Sequence, residues 1–203
     1  MKRQVLLNTL FLVLVLSAAS AQRYTADYFQ QRVDHKITVA LDTSTETIDI
    51  RSEVTYHNHS ADDLESIYFH LWWNAFEDRS SAFSEQRLAM GNRDFYFAPD
   101  NLLGGYDSIA FEVSGEELPV VRLQRDGKTY KDIVEVILPE SLAAEESITL
   151  SIKAKVKIPA SFSRPGREDG LYRMTQWYPK PACLLYTSPS PRDLSTSRMQ
   201  SSA

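Results

Sequence analysis

Six apolar residues fall at every second position from Ile148 to Ile158: Ile148, Leu150, Ile152, Ala154, Val156 and Ile158. Between them stand Thr149, Ser151, Lys153, Lys155 and Lys157. Side chains of a strand point alternately to its two faces, so this run has one apolar and one wet face. Pro159, which lacks an N–H to donate, ends it. A chain built from such runs must bury its apolar faces against another sheet. The lysine row predicts a solvated face that blocks edge pairing, with an anion-binding stripe as the alternative.

The same period recurs upstream. Ile37, Val39 and Leu41 alternate with polar neighbours, Asp42-Thr43-Ser44-Thr45 forms a turn cluster, and Ile48, Ile50, Ser52, Val54 and Tyr56 alternate again. Two such runs around a short polar loop predict a long antiparallel hairpin with one wet face. Ile109, Phe111 and Val113 repeat the period. Val120–Gln124 and Lys131–Leu138 flank Asp126-Gly127, a hairpin signal, and Pro139 is read as a stop. Ser161–Gly170 reads as a loop and Leu171–Tyr178 as extended.

The most distinctive stretch is IYFHLWWNAF, Ile67 to Phe76. Read as one strand, it sends Ile67, Phe69, Leu71 and Trp73 to one face and Tyr68, His70, Trp72 and Asn74 to the other. That suits an inner strand of a sandwich. Glu77–Tyr106 breaks the period. Ser80–Met90 predicts a short helix, with Ser80 or Ser81 as N-cap, Glu85 near the capping-box position and Gly91-Asn92 as the stop. Phe95-Tyr96-Phe97 and a Gly104-Gly105 turn follow. This insert is either a functional loop or a cover over a sheet edge. The expected fold is therefore mainly β: an antiparallel β-sandwich of seven or eight strands, with one long insert holding a short helix.

The two ends read differently. Residues 1–21 resemble a secretory signal peptide: Lys2 and Arg3, then a short apolar run, then Ala19-Ser20-Ala21. The apolar run is short of a membrane span, so no stable anchor is expected. Residues 183–203, beginning CLLYTSPSPRD, resemble the translation of a transposase-type sequencing adapter, and they are excluded from the expected domain. That domain is 22–182, free of cysteine once Cys183 is set aside. Of the 22 Lys and Arg, only Lys2, Arg3, Arg192 and Arg198 lie outside it; of the 27 Asp and Glu, only Asp193 does. Its balance is near −8, which argues against nucleic acid or an anionic membrane as partner.

Chemistry is sparse. There is no Gly-x-Ser-x-Gly, no HExxH and no phosphate-cradling glycine loop. His57 and His59 form a His-x-His fragment, which is either a metal fragment or a solvated pair. Asn58-His59-Ser60 is a glycosylation sequon. The paired carboxylates Glu116-Glu117 and Glu145-Glu146 read as solvated turn residues. No catalytic residue is expected in this chain.

Several segments resemble the N-terminal β-domain of secreted bacterial zinc metallopeptidases of the aminopeptidase N family. They are Tyr28–Val33, Ile67–Phe76, Asp94–Pro99, Gly105–Ile109 and Thr175–Ala182. Trp73, where relatives often carry proline, departs from the pattern. The resemblance implies a β-domain that caps a thermolysin-like catalytic domain. The zinc ligands of that domain, in HExxH and a more distant glutamate, would lie beyond Ala182. It implies a parent protein that is exported to the periplasm, cell envelope or exterior and removes N-terminal residues from peptide substrates. It also implies that Gln176, in Thr175-Gln176, anchors the substrate's N-terminal end; a structural glutamine bonding backbone is the other reading. An apolar surface near Leu171–Pro181 would face the catalytic domain. The competing readings are a non-catalytic secreted β-sandwich binding or adhesion module using Phe95–Phe97, and a family member without its zinc ligands.

Overall fold

In the computed structural model, residues 31–125 and 127–182 are described. The segments 1–21 and 183–203, with the signal-peptide and adapter readings, lie outside them.

The order of elements is β1 (Arg32–Asp42), β2 (Thr47–His57), β3 (Leu64–His70), a 3-10 turn at Trp72–Phe76, α1 (Ala82–Ala89) and a second 3-10 turn at Asp100–Leu102. Then come β4 (Gly105–Val113), β5 (Glu116–Glu117), β6 (Val120–Arg125), β7 (Lys128–Leu142), β8 (Ser147–Lys157), β9 (Gly166–Glu168), β10 (Leu171–Arg173) and β11 (Lys180–Pro181). One sheet runs β1-β2-β8-β4-β5, and a second runs β11-β3-β7-β6, with all pairs antiparallel. β9 and β10 make a small separate hairpin. The β-sandwich-like fold expected from alternation is the fold observed.

The β1–β2 hairpin forms as expected, in unbroken register from Arg32↔His57 to Asp42↔Thr47. Its turn is held by Asp42 Oδ1, which accepts from the Ser44 N–H at 2.8 Å, the Ser44 hydroxyl at 2.6 Å and the Thr45 N–H at 3.3 Å. These bonds pull the Asp42 carboxyl down to about 2. At the other signal, Arg125 pairs with Lys128 around a two-residue loop whose second residue, Gly127, sits at φ 74°. α1 also matches: Ser81 Oγ accepts from the Ser84 N–H at 3.2 Å. Gly91 N–H reaches Leu88 O and Asn92 N–H reaches Arg87 O, which satisfies the last carbonyls.

Four expectations need correction. First, IYFHLWWNAF is not one strand. β3 ends at His70, and Trp72–Phe76 winds into a 3-10 turn. The buried side chain of Asn74 explains the exit. Its Nδ2 donates to Lys131 O of β7 at 3.1 Å, and its Oδ1 accepts from Tyr106 N–H of β4 at 2.8 Å. One amide thus takes the place of ladder bonds and ties the two sheets together.

Second, β8 is not an edge. It lies between β2 and β4, so its lysines stand on the outer face of the most central strand. Lys153 reaches Glu112 at 2.7 Å.

Third, Pro139 does not stop β7. It lies in an irregular stretch, where pairing with β3 jumps from Ile137↔Ser66 to Leu142↔Leu64. At such a bulge its missing N–H breaks no ladder bond.

Fourth, Gly104-Gly105 is not a turn but the buried entry to β4. A Cβ on Gly104 would lie 2.5 Å from Lys157 O and 2.6 Å from Pro159 N. Glycine is there because two backbones touch.

The core has two parts. Between the sheets, Val54, Tyr56, Ile67, Phe69, Phe111, Val134, Val136, Leu150 and Ile152 pack together. The rest of the inner face of the five-stranded sheet, Ile48, Ile50, Ala154, Val156 and Ile158, is covered by segments outside the second sheet. Trp73 and Phe76 of the 3-10 turn and Phe95, Ala98 and Leu103 of the insert lie over it. Phe162, Tyr172, Met174 and Trp177 of the C-terminal segment pack against them. The insert is therefore a cover for a sheet face. Each fully buried large aliphatic or Phe side chain in these clusters contributes about 1.5–3 kcal/mol.

Candidate functional site

Gln176 sits at a corner made by one buried and one partly buried aromatic residue, Trp73 and Tyr106. Trp73 is fully buried, and its indole N–H must find an acceptor. It donates to Thr175 O at 2.9 Å. Tyr106 donates its hydroxyl to Trp177 O at 2.8 Å. Burial pushes that hydroxyl far above the usual phenol range, so it remains a neutral donor. The carbonyls on both sides of Gln176 are thus fixed from the core. Gln176 itself adopts φ 55°, a left-handed conformation that costs a non-glycine residue free energy and persists only where neighbours enforce it. The residue is exposed, and its side chain makes no hydrogen bond among the described residues.

The flanks are anchored too. Tyr172 and Met174 pack into the second core cluster. Lys180–Pro181 pairs with His70–Phe69 of β3, and the Ala182 N–H donates to Tyr68 O at 2.7 Å. Leu171–Tyr178 is therefore β10 followed by a bent corner, not one extended run. Tyr178 meets the His35 ring edge-on at 5.5 Å. Burial, and then the nearby Lys180 charge, lower the His35 pKa.

The arrangement displays a primary amide on an open surface. An amide both donates and accepts, so it can bind an ammonium group or a peptide unit. It supplies no nucleophile and no proton at neutral pH. Leu171, close by in sequence, is 63% exposed.

Elsewhere, His57 Nε2 lies 2.9 Å from Asp34 Oδ2 and His59 Nδ1 lies 3.1 Å from Glu145 Oε2, with the two imidazoles stacked at 6.1 Å. The histidine pair is used in two separate carboxylate contacts. Among the described residues no group of three His, Cys, Asp or Glu could hold a metal ion. The sequon is closed: Asn58 is fully buried. Its Nδ2 donates to Asp62 O, Leu142 O and Ala143 O at 2.9, 3.0 and 3.1 Å. Of the aromatic trio, Phe95 is in the core, and only Tyr96 and Phe97 are exposed.

A cavity of about 330 Å³ lies between α1 and the β6–β7 hairpin, lined by Ser81, Phe83, Lys128, Tyr130 and Lys131 among others. A shallower trough of about 760 Å³ crosses the outer face of the five-stranded sheet at Arg51, Lys153 and Lys155. Gln176 lines neither. Among the described residues no helix is long and apolar enough to cross a membrane.

The sequence singles out Gln176 only through its family resemblance. Of the two residues that hold it, Trp73 was legible only as a core aromatic and Tyr106 only as part of the resembling segment Gly105–Ile109. Their polar atoms signalled that each needs a buried acceptor, without saying which. No protein-family model matches the chain, and no curated protein matches it.

Proposed function

We propose that residues 22–182 are the N-terminal β-domain of an exported, zinc-dependent aminopeptidase of the aminopeptidase N type. In this reading the catalytic domain, with its zinc ligands, is encoded beyond Ala182. The observation that carries the reading is the Gln176 corner, an exposed amide with no hydrogen-bond partner among the described residues, in a left-handed conformation between carbonyls fixed by Trp73 and Tyr106. A substrate's N-terminal end offers both an ammonium donor and, one bond on, a carbonyl acceptor, and an amide complements both.

The openness of the corner supports the same reading, because a peptide site needs a second wall. Leu171, five residues before Gln176, is 63% exposed, a position that a covering domain would bury. The domain's residues bind and orient. The metal chemistry would belong to ligands outside this chain, and no step is assigned to residues here.

The test is to recover the gene across Ala182 and express its full product. HExxH downstream, and chelator-sensitive release of N-terminal residues from peptides, are expected. A stop codon or an unrelated sequence after Ala182 overturns the proposal.

A further inference from the structure

β1 is a free edge. It pairs with β2 alone among the described strands, and that pairing runs through all eleven residues without a bulge. Edge strands of soluble proteins are usually shortened, bulged, covered or broken by proline, because a long regular edge is a template for another strand. β1, RVDHKITVALD, is neither short, nor bulged, nor broken by proline; its only such device is charge, at Arg32, Asp34, Lys36 and Asp42 on the outer face.

Its inner face is also left partly bare. Val39 and Leu41 are 46% and 47% exposed, while the residues opposite them, Ile50 and Ile48, are at most 1% exposed. The cover supplied by the second core cluster reaches Ile37 of this strand, while Val39 and Leu41 stay half exposed.

The strand is complementary to itself. Antiparallel pairing about a two-fold axis at Ile37 keeps inner face beside inner face. It sets Val33 against Leu41 of the second copy, His35 against Val39, and Ile37 against Ile37. On the outer face Arg32 meets Asp42 at both ends, Asp34 meets Ala40, and Lys36 meets Thr38. No two like charges stand directly opposite, and cross-strand pairs of this kind are what stabilise a sheet. Asp42 uses Oδ1 for its own turn, which leaves Oδ2 for Arg32 of the second copy.

We propose that β1 is a self-association edge, through which two copies of this chain join into one continuous ten-stranded sheet. The inference is independent of the aminopeptidase reading.

The test uses the full chain with Cys183→Ser, so that no other thiol interferes. Sedimentation equilibrium is expected to give twice the monomer mass, falling to the monomer on dilution. Val39→Lys, at a half-exposed site that tolerates a lysine, is expected to weaken the dimer roughly tenfold or more. In the Ile37→Cys variant the two thiols face each other across the axis, and mild oxidation is expected to give a covalent dimer. Val121→Cys, on β6 at the free edge of the other sheet, is expected to give none. A monomer at every concentration, a dimer indifferent to Val39→Lys, or cross-linking through the Val121→Cys variant instead would overturn the proposal.

Discussion

The indole nitrogen of Trp73 donates to the carbonyl oxygen of Thr175 at 2.9 Å, across 102 residues of chain. This bond joins the turn that follows β3 to the segment that carries Gln176. Trp73→Phe keeps an aromatic ring but loses the donor and part of the volume. It is expected to cost roughly 1–3 kcal/mol in urea unfolding. It should also speed amide exchange at residues 175–177 more than at β2 or β8. Equal acceleration everywhere would show that the bond does not hold the corner.

In the full-length product, Gln176→Ala is expected to raise KM for peptides by roughly tenfold, equivalent to about 1.4 kcal/mol, with stability of the domain nearly unchanged. Steady-state kinetics with peptides beside thermal melts separates the two effects. Unchanged KM would remove Gln176 from substrate binding.

Asn58 is the buried fastener of the loop between β2 and β3. Its amide donates to three carbonyls, and its Oδ1 accepts from the Ser60 N–H and hydroxyl at 3.1 and 2.6 Å. Asn58→Asp replaces the donor with a carboxyl facing those three carbonyls. It is expected to destabilise the domain by about 3 kcal/mol or more, read by chemical denaturation. The same burial predicts that the folded protein, offered to an oligosaccharyltransferase, gains no glycan at Asn58; a mass increase would contradict this.

Two pH windows follow from the shifted groups. The Asp42 carboxyl is held at about 2, below its ordinary 3.8. Its contribution is therefore present above about pH 4 and is lost as pH falls through 2. Asp42→Asn should flatten stability over that window. His35 and His70 are lowered from 6.5, chiefly by burial. Below 6.5 the unfolded chain takes up protons that the folded chain resists, so stability declines as pH drops from there. Melting temperature against pH, with His70→Gln as comparison, reads this; an unchanged slope in the variant would exclude His70 as a source.

Much of the fold was legible because it depends on local rules. Asp42 beside Ser44, Ser81 before α1, and Gly91 and Gly127 at positive φ each act within a few residues. Alternation reported the two faces of β8 but could not report its neighbours, so a central strand read as an edge. The end of β3 was hidden for a related reason. Leu71 and Trp73 are both buried, as a continuing strand would have them, but they belong to different core clusters. Asn74, poorly suited to a strand interior, was the one residue that pointed to the turn. For the site, the sequence offered Gln176 by resemblance alone. Its φ and its two aromatic supports arise from contacts that span 102 and 71 residues, beyond the reach of any local pattern.

The second core cluster imposes a timetable on synthesis. Ile48 and Ile50 lie near the start of the domain, yet Phe162, Tyr172, Met174 and Trp177 near its end help to cover them. The cluster between the two sheets draws on nothing after Ile152. On the ribosome the sandwich can close first, while half of one sheet waits, only partly covered by the 3-10 turn and the insert, for the last stretch of the domain to emerge. A pause in translation between those points would leave a nascent chain with a half-covered apolar sheet face, a state in which a chaperone is needed.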